Sequence, residues 1–378
     1  MTDEFTANSR DIQPARRVLV IGLDGATWTI LKPLVEANEL PVLNKLMSAG
    51  AYGAMRTVLP PTSAPSWTSA FTGQNPGKHG VYEFFVRRSV ENGFTYVDSR
   101  SRATKALWEI LGERGKSVGV VNILTTHPAE KVKGFMMSGS FAPYPKTDFF
   151  YPPSLGERLR QKFGKFKLRE PFHPKYWGHR ISNYVTLWRE ILAIRTEINL
   201  FLMEEYPWDF LMTVISCTDH IQHAAWKYID ETHPEHIPGH RDAFIAFYRD
   251  VDAAVGKLVE KADDGETSII IMSDHGFGPR YKHFFLSQWL EDMGWLKTKD
   301  LSTDFLEATF VLILQRMGIS NERAKVLSSY ITRAIDVISP LPLARLLDRI
   351  LRTVGPKVGL QYYPTCDWSQ TKVYCSPC

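Results

Sequence analysis

Three apolar runs in this sequence end in acidic residues, and two of them carry histidine as well. "VLVIGL" (18–23) delivers Asp24. "FLMTVIS" (210–216) runs into Cys217-Thr218-Asp219-His220-Ile221-Gln222-His223, and "SIIIMS" (268–273) into Asp274-His275. Short continuous apolar runs read as strands covered on both faces. In open α/β sheets, ligand sites gather beyond the carboxyl ends of strands. If these strands are neighbours, three carboxylates and at least two imidazoles converge, a donor set that suits zinc or another divalent transition metal. Each motif alone has a plainer account. An Asp after a strand is often a helix N-cap, and for Asp24 alone capping and catalysis weigh equally. Asp219 and His223 stand four apart, on one helical face or in one turn, which favours shared ligation; His220 then points elsewhere. Asp274 and His275, adjacent in one loop, can reach two nearby metals.

Metal-assisted hydrolysis also needs a nucleophile. "PPTSAPSWTSAFTG" (60–73) offers Thr62, Ser63, Ser66, Thr68 and Ser69. A hydroxyl is a weak nucleophile at its free pKa, and coordination to a metal activates it. The start of a helix adds free backbone N–H groups for an incoming phosphate. Ser63, just ahead of Pro65 and a helix expected to start near Ser66, meets both needs. Thr62 is its rival, and on this stretch alone ordinary capping is the plainer account. His233, His236 and His240 fall in "THPEHIPGH" and read as a solvated loop. His79 in "NPGKHG" reads as a turn pin, and His283 follows the third motif closely enough to approach a site there. His127, His173 and His179 have no partner that the sequence names.

The elements that must position these residues alternate between helix and strand, as in α/β proteins. Helices are expected near 28–37, 41–49, 105–115, 182–206 and 241–261. Strands are expected at 18–23, 53–59, 117–124, 208–216 and 267–273. Residues 140–180 are rich in Pro, Tyr, Phe and Lys, and their basic charge reads first as solvated surface and second as a phosphate-attracting rim. Residues 301–360 are helical and apolar in patches. The chain of 378 residues is 44% hydrophobic and 23% charged, an ordinary globular composition. A net charge of +4 is too small to argue for nucleic acid. Three of the four cysteines, Cys366, Cys375 and Cys378, lie in the last 13 residues, where the lone CxxC lacks the second pair of a zinc knuckle. The polar N-terminus lacks the apolar core of a signal peptide. No stretch reaches the ~18 apolar residues of a membrane span, so the expected location is the cytoplasm.

Taken in order, "VIGLDGATW", "PPTSAPSWTSAFTGQNPGKHGVYEF", "KALWEILGERGKSVGVVN", "SCTDHIQHAAW" and "IIIMSDHGFGP" resemble the alkaline phosphatase superfamily, most closely its type I phosphodiesterase and nucleotide pyrophosphatase branch. The resemblance implies a three-layer αβα sandwich around a central, mostly parallel sheet, with a helical cap or insertion. It implies a polar arm over 1–17 and a catalytic core over 18–300 with a cap-like insertion around 140–200. A helical insertion over 301–365 and the start of a further, incomplete core segment over 366–378 would follow. Two divalent metal ions are implied, zinc first and manganese as the alternative. Asp24, Asp274 and His275 would bind one and Asp219 and His223 the other, with Ser63 as the metal-touching nucleophile. The reaction would be hydrolysis of a small phosphate diester or pyrophosphate, or of a monoester, through a covalent phospho-Ser63 intermediate.

The sequence departs from that pattern in places. Family members complete the Asp219/His223 metal with a late His, but no His follows His283. The reading that follows is a C-terminally truncated chain with impaired turnover; a different third ligand is the alternative. Nucleotide pyrophosphatases place an Asn shortly after "HG", where this chain has Glu83 and Phe84. Sulfatases need Arg where "SAPSW" (63–67) has Trp67. Two other functions stay open: a non-catalytic remnant that binds a phosphorylated ligand or partner, and a metal-dependent mutase or phosphotransferase.

Overall fold

The computed structural model describes residues 16–87, 94–139, 147–166, 181–282, 284–297, 322, 326–330 and 372. Residues 1–15 of the expected 1–17 arm, most of the helical insertion, the tail cysteines, His173, His179 and His283 lie outside the described residues. By its internal contacts the chain divides into two units, residues 1–279 and 280–378.

In the first unit the order is β1 (Arg17–Leu23), α1 (Trp28–Glu36), α2 (Pro41–Ala49), α3 (Ser63–Thr72), α4 (Pro76–His79), β2 (Phe85–Arg87) and β3 (Phe94–Tyr96). Then follow α5 (Leu107–Glu113), β4 (Val118–Val121), β5 (Gly134–Met137), β6 (Phe150–Tyr151), α6 (Leu155–Phe163) and α7 (Ile181–Glu205). The unit closes with β7 (Phe210–Ile215), α8 (Cys217–Ile229), α9 (Arg241–Ala262) and β8 (Thr267–Met272). Six strands form one sheet in the order β6-β5-β4-β7-β1-β8, while β2 and β3 make a separate hairpin. Every pairing in the large sheet is parallel except β5 with β6.

The period-2 geometry of strands divides the core into two layers. On one face Leu19, Ile21 and Leu23 of β1 and Leu211 and Ile215 of β7 meet buried residues of α1, α7, α8 and α9. On the other, Val20, Met212 and Val214 meet Trp67 and Phe71 of α3 and Trp108 of α5. Helices on both faces of a mostly parallel sheet make the three-layer α/β architecture that the resemblance implies. In the second unit, α10 (Leu286–Asp292) is described, with Trp289 edge-on to Trp295. No helix among the described residues is long and apolar enough to cross a membrane.

Three local expectations are corrected. Residues 53–59 form no strand. Among the described residues the edges of the sheet are β6 and β8, and this segment pairs with neither; its apolar Met55 and Leu59 are exposed. Strand propensity marks fit to a pleated, half-buried surface, which is not offered here. Helix α3 begins at Ser63, three residues before the expected start, because a proline is tolerated within a first turn. Strand β8, expected to be covered on both faces, is an edge strand among the described residues, and Ile270 is 46% exposed.

One buried carboxylate joins two helices. The N-cap of α2 is Leu40, which makes no side-chain cap, and Pro41 follows it. The next two amides, Val42 N and Leu43 N, donate to Asp252 of α9 at 2.9 and 2.8 Å. Burial raises the Asp252 carboxyl above its usual range, and these two N–H donors oppose the rise. Removing the carboxylate leaves the buried Leu43 amide and the part-buried Val42 amide without this acceptor, so Asp252→Ala should lower stability by about 1–3 kcal/mol in urea unfolding. An unchanged midpoint would rule out this capping role.

Candidate metal centre

The parallel register of β7, β1 and β8 brings all three acid-bearing loops to one end of the sheet. β1 lies between the other two, pairing Leu23 with Ile215 and Gly22 with Met272. Asp24 therefore leaves β1 flanked by the loop that opens α8 and by the loop that carries Asp274. Ser63 is the first residue of α3 and is buried.

Four of the six expected residues close on one point. Ser63 Oγ lies 2.9 Å from His275 Nε2 and donates to Asp24 Oδ1 at 3.3 Å. His275 Nε2 is 3.7 Å from Asp24 Oδ1 and 3.4 Å from Asp274 Oδ2. The Nδ1 of His275 is 2.8 Å from the carbonyl oxygen of Gly276. That contact fits an Nδ1–H donor and leaves the Nε2 lone pair facing the carboxylates.

Asp219 joins the group: one ligand atom from each of Asp24, Asp219 and His275 lies within 4.8 Å of the others. Asp219 Oδ1 is also 3.5 Å from His223 Nε2, as expected from the i,i+4 spacing on α8. The ring of His223 is edge-on to Phe277 at 4.8 Å, and Phe277 stacks on Trp226. His220, set aside on spacing grounds, is buried and stacked on Trp188. His79 is fully buried and 2.9 Å from Ser69 Oγ, with Val81 N donating to its Nδ1. Burial lowers its pKa, against an opposing hydrogen bond to the Pro65 backbone. Thr62, the rival nucleophile, is the N-cap of α3, and its buried Oγ1 makes no hydrogen bond among the described residues.

These donors fit a divalent cation. A tetrahedral ion with ligands ~2.0–2.1 Å away holds neighbouring ligand atoms roughly 3.3–3.4 Å apart. The separations among Ser63, Asp24, Asp274 and His275, 2.9 to 3.7 Å, bracket that value. Asp274 Oδ2 is buried and accepts no hydrogen bond among the described residues, the state of an oxygen that needs a positive partner. Burial pushes the Asp274 carboxyl up to about 7, and the charge of Asp219 adds to the rise against the opposing Gly25 N–H.

The scaffold around the donors went unread in the sequence. Gly25 N donates to Asp274 Oδ1 at 3.1 Å, while Gly25 O accepts from Gln222 Nε2 at 2.8 Å. Gly25 has φ +62°, and a Cβ there would stand 2.9 Å from Asp219 Oδ1, so both its conformation and its neighbour call for glycine. Thr218 Oγ1 donates to Asp24 O at 2.6 Å, and Thr57 Oγ1 to Asp274 O at 2.7 Å. Trp67 Nε1 donates to Asp24 Oδ2 at 2.9 Å. One available signal was the i,i+4 spacing of Ser63 and Trp67, which puts both on the face of α3 toward Asp24.

Comparison with known proteins gives the chain a family. The sequence profile of the type I phosphodiesterase / nucleotide pyrophosphatase family matches residues 18–334. The chain belongs to that family. No curated protein matches it in sequence. Among solved structures, phosphonoacetate hydrolase from Sinorhizobium meliloti 1021 with phosphonoacetate is similar at TM-score 0.49 and 16% identity, over 76% of this chain and 65% of that one. The same enzyme with phosphonoformate gives TM-score 0.48 and 16% identity, over 74% and 62%. A 2-O GAG sulfatase gives 0.44 and 13%, over 72% and 62%. The chain thus spans less than two thirds of the length of these structures.

The Asp274 carboxyl sets a pH dependence for the metal-free protein. Between its usual value of 3.8 and about 7 the folded chain holds a proton that the unfolded chain has released. Stability should therefore fall as pH rises through that window, by on the order of 4 kcal/mol, and level off above it. Urea midpoints of chelator-treated protein from pH 4 to 8 measure this, and Asp274→Asn should flatten the slope. Equal slopes in both proteins would contradict the assignment.

Proposed function

We propose that this member of the type I phosphodiesterase / nucleotide pyrophosphatase family hydrolyses a small phosphate diester or pyrophosphate with Ser63 as nucleophile. The observation that carries the reading is the position of Ser63 Oγ, between Asp24 Oδ1 and His275 Nε2 at the first residue of α3. In this reading Asp24, Asp274 and His275, with Ser63, hold one divalent cation, and Asp219 and His223 hold a second. Two such ions, zinc by ligand type with manganese as the alternative, would supply Lewis acidity to the phosphoryl oxygens and favour the deprotonated Ser63 hydroxyl.

The chain's own residues supply the rest. Ser63 Oγ faces two acceptors, so loss of its proton leaves an oxyanion where the local donors favour positive charge. The first backbone N–H groups of α3 have no intrahelical partner and suit an anionic phosphate. Attack forms the Oγ–P bond as the ester P–O bond breaks, and the alcohol or phosphate departs. Water then attacks phosphorus opposite Oγ and frees Ser63. His223 is half exposed, so its side of the centre is open to an incoming ester. Glu83 accepts a hydrogen bond from Phe84 N at 2.8 Å, so this acceptor-only side chain is turned to its own backbone where pyrophosphatases carry an amide donor. That favours a diester without a nucleotide requirement.

Turnover of bis-p-nitrophenyl phosphate with added Zn²⁺ or Mn²⁺ tests the reading. Ser63→Ala should lose roughly 10³-fold or more of kcat while binding metal. Unchanged turnover in that variant would remove Ser63 from the mechanism. Full metal binding with no turnover in the unaltered chain would instead favour a non-catalytic binding role.

A further inference from the structure

We infer that Trp67 is a positioning residue for the metal centre: its indole N–H holds one oxygen of Asp24 so that only the other faces the cation. The inference rests on the proposal that Asp24 is a metal ligand. Trp67 Nε1 donates to Asp24 Oδ2 at 2.9 Å, while Oδ1 is the oxygen that faces Ser63 Oγ and His275 Nε2. The carboxylate is thereby divided, with one oxygen bound by protein and one presented to the site.

Three further observations indicate that the contact is built in. First, the indole is enclosed: Trp67 is fully buried and packed in the core with Val20, Phe71, Trp108, Met212 and Val214. Second, the backbone makes room for it. A Cβ on Gly22 would stand 2.4 Å from Trp67 Cη2, so the ring lies directly on β1 two residues before Asp24. Third, the same helix face carries Ser63, so one rigid element sets both the hydroxyl and the orientation of Asp24.

The chemistry of the donor also matters. An indole N–H is a donor only and carries no charge. It favours the ionised carboxylate by hydrogen bonding, yet adds no positive charge to oppose an incoming cation. A guanidinium or ammonium in its place would neutralise Asp24 as a ligand. Partners that orient a ligand in this way typically change metal affinity ~10–100-fold when removed.

The test uses the full chain after chelation, titrated with Zn²⁺ or Mn²⁺ by calorimetry. Replacing Trp67 by β-(3-benzothienyl)alanine keeps the ring and removes only the N–H. That protein should keep the metal-free melting temperature and bind the cation ~10–100-fold more weakly. Trp67→Phe should show the same loss with some destabilisation. Gly22→Ala should weaken binding by displacing the indole, and should add nothing to affinity loss in the Trp67→Phe background, a non-additivity expected of coupled neighbours. Wild-type affinity in the isosteric variant, with binding weakened in Asp24→Asn, would overturn the positioning role and leave the metal-site reading standing. Wild-type affinity in Asp24→Asn would overturn both.

Discussion

Crowded negative charge is the constraint that shapes this molecule. Asp24, Asp219 and Asp274 meet at one end of a sheet, and two of them are almost wholly removed from water. Two unit charges ~4 Å apart repel by about 4 kcal/mol at an effective dielectric near 20, a large share of a domain's usual net stability of ~5–15 kcal/mol. The fold tolerates this in two ways. It lets one carboxyl, Asp274, rise toward neutrality. It also surrounds the group with neutral hydrogen-bond donors: a backbone amide on Asp274, an indole on Asp24, and hydroxyls on the carbonyls behind both. Those neutral donors hold the carboxylates in place without adding a positive charge of their own.

The parallel sheet is what makes such crowding possible. Parallel strands all point their carboxyl ends the same way, so residues far apart in sequence arrive together without any local motif. β1 has the central place, with β7 on one side and β8 on the other. The Gly25 turn then ties both neighbours to it, taking a hydrogen bond from Gln222 of α8 and giving one to Asp274. A single residue, through the two peptide groups that flank its Cα, therefore links the two halves of the donor set. Trp67 links a third element, since α3 carries both the hydroxyl at its first residue and the indole one turn later. Every one of these ties involves a strand end or a helix start, where backbone groups are not committed to a ladder.

Much of the fold was legible because strong periodicity leaves few alternatives. The helices at 182–206 and 241–261 and the strand before Asp219 are long or uniformly apolar, and each forms within two residues of where its pattern places it. Residues 53–59 mislead because their composition suits a strand, yet among the described residues they join no sheet and leave Met55 and Leu59 exposed. The "SIIIM" run misleads differently: its apolarity signals a covered strand, yet coverage depends on what packs outside it. Ser63 is a candidate by residue type and position near a helix start, although the start itself lies three residues earlier than its pattern suggests, with Pro65 inside the first turn.

The sequence alone determined which residues have the chemistry: carboxylates and imidazoles at strand ends, a hydroxyl before a helix, and an i,i+4 Asp–His pair. Those are properties of residue type and short spacing, and they survive in one dimension. Tertiary structure alone decided that Ser63, Asp24, Asp274 and His275 share a point, that Asp219 borders it, and that Trp67 and Gly25 hold it in shape. Such contacts join residues 39 to 249 positions apart. They follow from strand order and register, which no local pattern encodes, because pairing a strand with one neighbour rather than another leaves its own periodicity unchanged.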